Sequence, residues 1–349
     1  MDQLRPYFAA ATAWMGNRLK IGFGFFRRWL GVAGAAFWAW LKTLSADTWR
    51  LVGISAVIFL LLYYPLGMAL THKIDDNPEL PGGLRNAAAP SSLSVAVVAA
   101  LIDREVNTNS WVMNDPFFKP SSLLDNMPSF QQGMFSSFSR YAIELRDQVG
   151  RSRGSSASDP DLATAAGLLP YPGDVWIFNF SLSLLPTASA ESQYLRAREA
   201  LLNYNQRLAA GDAVFERRSD NLMATLDRIA LDLGASSAAI EQHVRDHADD
   251  WIDTKGDDLF YNIKGQAYGY FMILTALKED FEGVIADRDL ARVWDYMLAS
   301  LLAILELDPL IVSNGSPDDL YPANHLLAEG FYLMRARTQL REITNILLK

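Results

Sequence analysis

Leu51 to Thr71 reads LVGISAVIFLLLYYPLGMALT, a run of 21 residues without a charge. As an α-helix it measures about 31 Å at 1.5 Å per residue, close to the ~30 Å hydrocarbon thickness of a bilayer. Uninterrupted apolarity over such a length is rare in soluble domains, so the expectation is a membrane-spanning helix over 49–72. Trp49 and Arg50 flank one end, His72 and Lys73 the other, and Tyr63 and Tyr64 lie nearer the second interface. Pro65 falls inside the run and is expected to kink the helix or loosen its last turn.

Charge on either side of this run is unequal. Residues 1–72 hold seven Lys/Arg and two acids, whereas residues 73–349 hold 24 Lys/Arg and 38 acids, net −14. Basic flanks stay on the cytoplasmic side, which predicts a single-pass membrane protein with its N-terminus inside and its bulk outside. The basic stretch before the run is too long for a signal peptide, and no A-x-A site follows; an uncleaved anchor is expected. Among residues 1–48, the segment 21–41 (IGFGFFRRWLGVAGAAFWAWL) mixes aromatic rings with Arg27 and Arg28. Its longest uncharged run is only Trp29 to Leu41, too short to span, so it is expected at the cytoplasmic lipid interface.

Past a Pro/Gly-rich stretch, 73–91, expected to be a linker, the remaining chain (92–349) reads as one mainly α extracytoplasmic domain of about eight helices. Helical patterns cover 92–106, 129–149, 189–210, 236–252, 257–283, 287–306 and 321–348. Between Asp212, which can cap a helix, and Gly234, which can end one, Phe215, Leu222, Leu226, Ile229 and Leu233 form an apolar stripe. RSRGSSASDPD (151–161) is expected to be a loop, and partial alternation over 174–185 suggests one short strand.

The 349 residues include no cysteine, which excludes disulfide scaffolds, thiolate zinc sites and thiol catalysis. A net charge of −9 argues against a nucleic-acid partner. His243 and His247 share a helix face at i, i+4, with Asp246, Asp250 and Asp253 nearby, a spacing that can hold zinc. However, Val244 stands where the zinc-protease signature needs Glu, so a solvated acidic face is expected. Glu105 ends a helical run beside a polar loop and is the one candidate for a general acid acting on a glycosidic oxygen. Lytic transglycosylases of the cell wall place a Glu in this way with Ser soon after, but here Ser110 comes five residues later and the downstream glycine-containing motif is missing. Surface charge is therefore expected at Glu105. In the loop 107–128, Trp111, Phe117 and Phe118 either pack on their own domain, the favoured reading, or form a docking surface. Gly265 and Gly269, four apart, suit close helix–helix approach. No nucleotide-binding glycine motif and no nucleophile elbow is present.

TNSWVMNDPFFKP (108–120), DNMPSFQQG (125–133) and RRSDNLMATLDRIALDLG (217–234), together with the single span, resemble a proteobacterial membrane-protein family catalogued as a domain of unknown function. The resemblance covers most of residues 50–349 and implies an inner-membrane protein with a periplasmic domain; it brings no catalytic residues. The sequence thus predicts a non-enzymatic scaffold or regulatory subunit of an envelope complex, without catalytic, cofactor or metal residues. Its expected partners are the bilayer, through residues 51–71 and 21–41, and an envelope protein, with self-association left open. A cell-wall lytic enzyme using Glu105 is the alternative.

Overall fold

The computed structural model describes residues 45–82, 91–152, 158–178, 185–247, 255–309, 311–313 and 324–349, with Ala39, Thr43 and Leu84. The interfacial segment 21–41 (Ala39 apart), Asp250, Asp253 and the centres of the expected loop 151–161 and strand 174–185 lie outside the described residues. Two units divide the chain, residues 1–63 and 64–349.

The described part of the first unit is chiefly the start of helix α1 (Ala46–Thr71). Ser45 Oγ accepts the Thr48 N–H at 3.2 Å, and Asp47 stands in the first turn. One orphan amide is thereby satisfied and a negative charge meets the positive helix end. No residue of α1 is buried, although 26 residues at 1.5 Å make it about 39 Å long. Among the described residues it is the one helix long and apolar enough to cross a membrane.

Among its described residues the second unit carries, after the end of α1, nine α-helices: α2 (Leu93–Asp103), α3 (Asn126–Ser152), α4 (Pro160–Leu168), α5 (Ala190–Ala210), α6 (Ser219–Asp246), α7 (Gly256–Asp280), α8 (Glu282–Asp287), α9 (Ala291–Leu305) and α10 (His325–Leu347). A π-helical turn, Arg104–Thr108, extends α2, and a 3-10 turn spans Pro120–Leu123. The mainly α class is as the sequence predicts, and no strand occurs among the described residues.

At the centre lies α7, packed on α2, α3 and α9, while α10 closes the core against α6 and α9. Glycines set the α3–α7 distance. A Cβ on Gly265 would collide with the Phe130 carbonyl, and one on Gly133 with the Asn262 carbonyl; Gly269 is closed off by Ser137. Thus the Gly265/Gly269 pair brings two backbones together inside the core of the helical unit. Asp280, near the end of α7, fastens the start of α2: its carboxylate accepts the Leu93 and Ser94 N–H groups at 2.8 and 3.0 Å, besides the Ser92 hydroxyl at 2.8 Å. Those amides have no intrahelical acceptor, so a buried carboxylate is held where the helix dipole favours it.

Several local expectations change. Helix α6 runs unbroken through Gly234, because a Cβ there would meet the Arg337 guanidinium of α10 at 3.0–3.2 Å; the glycine gives room to a crossing helix and stops nothing. The two segments read on either side of Gly234 are therefore one helix, starting at Ser219 and not at Asp212. Within the expected loop 151–161, Asp159 accepts the Asp161 and Leu162 N–H groups and Pro160 opens α4. Proline at the first position needs no donor, so this pair starts a helix. Finally, the described ends of the expected strand (174–178 and 185) are irregular, with Ile177 O accepting the Thr187 N–H at 2.8 Å and Val175 O the Ala190 N–H at 3.0 Å.

Candidate functional site

The Pro/Gly-rich stretch after α1 is held against the core over residues 74–80. Ile74 and Leu80 pack on apolar side chains, and the polar groups between them meet buried charges. Arg104 donates from Nη2 to the Asp75 carbonyl and from Nη1 to the Tyr268 hydroxyl, each at 2.8 Å, and its Nη1 lies 3.4 Å from the Asp75 carboxylate. Tyr268 in turn donates to the Asn77 carbonyl at 3.1 Å. On the next turn of α7, buried Lys264 donates to the Leu307 carbonyl and pairs with Asp76, both at 2.8 Å. Burial works against the charge on Arg104, yet Tyr268, Glu105 and Asp75 together raise its pKa. Burial also pushes the Tyr268 hydroxyl up to about 12, against the pull of Arg104. Both groups therefore keep their protons at neutral pH, and the donors of this clamp are permanent.

Glu105 belongs to the same network, and here the expectation of surface charge is overturned: its side chain is 1% exposed. Arg104 Nε donates to Oε1 at 2.8 Å, Asn109 Nδ2 to Oε1 at 3.0 Å and Gln131 Nε2 to Oε2 at 3.0 Å. The π-helical turn makes this convergence, since the Asn109 N–H reaches back to the Arg104 carbonyl at 2.8 Å and the wider turn sets Arg104 and Glu105 toward α3 and α7. A general acid must present its proton to a substrate oxygen. Each oxygen of Glu105 already faces an internal donor, so the group fits a packed junction.

A second carboxyl in this region has no such partners. Glu329 on α10 is fully buried, and neither oxygen has a hydrogen-bond partner among the described residues. Burial raises its pKa well above the carboxyl range, opposed by Lys264, so the neutral acid is the form that the core accepts. Sequence reasoning passed over Glu329 and Lys264. The signal was there: Leu326, Glu329, Leu333, Ala336, Leu340, Ile343 and Leu347 recur at alternating three and four and all are buried.

Among the described residues the histidines gather no set of metal ligands. The His243 and His247 rings stack at 4.2 Å on the last turn of α6, His247 Nδ1 lies 3.1 Å from the His243 carbonyl, and Asp246 accepts from Gln242. No group of three His, Cys, Asp or Glu that could hold a metal occurs among the described residues. A hollow of about 340 Å³ lies between α3 and the 169–173 turn, bordered by Arg140, Tyr171 and Tyr194; no carboxylate lines it.

The aromatic loop splits between its two readings. Trp111 is buried, donates to the Gly173 carbonyl at 2.8 Å and meets Phe135 and Tyr194 edge-on at 4.7 and 4.9 Å. Phe117 and Phe118 face outward, 82% and 51% exposed.

Fold and site together define a helical protein with one apolar N-terminal helix and a buried charge clamp just after it. By family, the chain belongs to the uncharacterized proteins conserved in bacteria (DUF2333), whose model matches residues 86–250 and 238–349. Comparison with curated proteins and with solved structures finds no match.

Proposed function

We propose that the protein is a single-pass inner-membrane protein whose helical unit stands in the periplasm as a scaffold or regulatory subunit of an envelope complex. The observation that carries this reading is α1, apolar from Leu51 to Thr71 and nowhere buried. Leaving such a run in water forfeits about 25 cal/mol for every Å² of apolar surface, and lipid recovers it. An uncleaved anchor is supported by the chain that follows: Asp75, Asp76 and Asn77 are bound within the helical unit by Arg104, Lys264 and Tyr268. The excess of Lys/Arg before the run supports the orientation. The acidic character of residues 73–349 favours a neutral or basic protein as partner.

Alkaline phosphatase fused at Lys349 is expected to be active, and alkaline carbonate is expected to leave the protein in the membrane pellet. An inactive fusion reverses the orientation; release into the supernatant removes the anchor. Gentle detergent extraction followed by affinity purification is then expected to bring down a fixed stoichiometric partner. For the lytic alternative, E105Q is the test. A variant that unfolds at the parent temperature yet has lost hydrolysis of purified peptidoglycan would overturn the scaffold reading.

A further inference from the structure

The helical unit shows one apolar face tied to the end of α1. Phe117 and Phe118 contact each other edge-on at 5.6 Å, Phe118 meets Trp176 at 6.2 Å, and Trp176 meets Phe178 at 5.3 Å, so four rings form a continuous row. Leu123, 59% exposed, comes from the 3-10 turn that follows Phe118 in the chain. The row begins on α1 itself. The Tyr64 hydroxyl donates to the Phe117 carbonyl at 2.8 Å, and a Cβ on Gly67 would collide with the Pro120 ring.

Tyr64 and Gly67 lie inside the uncharged run, seven and four residues before Thr71, which is about 10 and 6 Å along a helix. A loop that touches those residues sits beside the last two turns of the span. We infer that the Phe117–Phe118 loop, with Trp176 beside it, is inserted into the lipid interface where α1 leaves the bilayer. This rests on the anchor reading above and adds a second membrane contact to it. The chemistry suits the place: aromatic rings favour the headgroup boundary, and a backbone carbonyl at that depth needs a donor, which Tyr64 supplies. Lys119, half exposed and paired with Asp115 at 2.6 Å, is the cation nearest in sequence for a lipid phosphate. The net −14 carried by residues 73–349 excludes broad coating of an anionic surface, so insertion is confined to these uncharged rings.

The chain has no cysteine, so single-cysteine labelling of the full-length protein is direct. L60C, F117C and E241C, each carrying a bimane, are reconstituted into phosphatidylethanolamine/phosphatidylglycerol vesicles doped with a phosphatidylcholine bearing a nitroxide either near the headgroup or at the end of an acyl chain. The deep nitroxide reads L60C, and the shallow one reads F117C and E241C. Quenching at L60C and F117C, with E241C unquenched, is the expected result. Quenching at L60C alone overturns the insertion while the anchor stands, and assigns the aromatic face to a protein partner. No quenching at L60C removes the anchor and the insertion with it. L123C repeats the measurement should F117C fold poorly.

Discussion

Helices α1 and α7 are nearly equal in length, 26 and 25 residues, and opposite in burial. None of α1 is buried, whereas 17 residues of α7 are. Moreover, the buried helix is the more polar one: it carries Lys264, Asp280, three tyrosines and three glycines against the core, while α1 has no charge after Arg50. Apolar content alone therefore does not say which helix goes inside. A helix enters a protein core when neighbours match it group by group, as Phe130 matches Gly265, as Gly133 matches Asn262, and as Asp76 and the Leu307 carbonyl match Lys264. An apolar run such as residues 51–62 is suited to lipid, where only backbone satisfaction and apolarity are required.

The contrast can be broken at four places. The largest effect is expected from I58R/L61R, which puts two charges at the middle of α1 at about 2.5–3.5 kcal/mol each for insertion. The doubly substituted protein should leave the carbonate pellet while its helical unit keeps its unfolding midpoint. In α7 the matching lesion is steric: G265V meets the Phe130 carbonyl, and destabilisation of about 3 kcal/mol is expected in urea unfolding, with membrane retention unchanged. Third comes K264M, which leaves Asp76 without its cation. Because Asp76 is partly exposed and water can take the place of Lys264, about 2 kcal/mol is expected, in place of the 3–5 of a fully buried pair.

The smallest effect is a pH dependence. Glu329 has a folded pKa raised by burial above its unfolded value, so the native state holds the proton more tightly. The stability this gives is complete below the ordinary carboxyl range and is lost as pH rises through the folded pKa, by about 1.4 kcal/mol for each pKa unit of the shift. E329Q keeps a neutral side chain at every pH. It should match the parent at pH 4 and exceed it at pH 8; equal stability at both would mean that Glu329 ionises freely. In K264M the parent's loss on raising pH should steepen, since Lys264 is the charge that opposes the shift.

Several elements could be read from sequence because a local rule decided them: the apolar run of α1, and α5, which starts on the Ser189 cap and ends at Gly211 with φ of 80°. Others depended on a partner distant in the chain. Gly234 has the appearance of a helix stop, and only the approach of Arg337 explains it. Glu105 has the composition of a surface residue, and Gln131, 26 positions on, makes it an interior one. Asp75 and Asp76 sit in a stretch whose prolines and glycines suggest a spacer, yet Arg104 and Lys264 hold it down. Glu329 alone was readable in principle, as the acid in an otherwise apolar three-four repeat.

Between Thr71, the last residue of α1, and Asp75, the first clamped by Arg104, lie only three residues. Extended chain covers at most about 3.6 Å per residue, so there is almost no slack to take up. A tug or twist applied at the last turns of α1, from Tyr64 to Thr71, would reach the middle of α7 as strain on Arg104, Tyr268 and Lys264 before any free coil could absorb it.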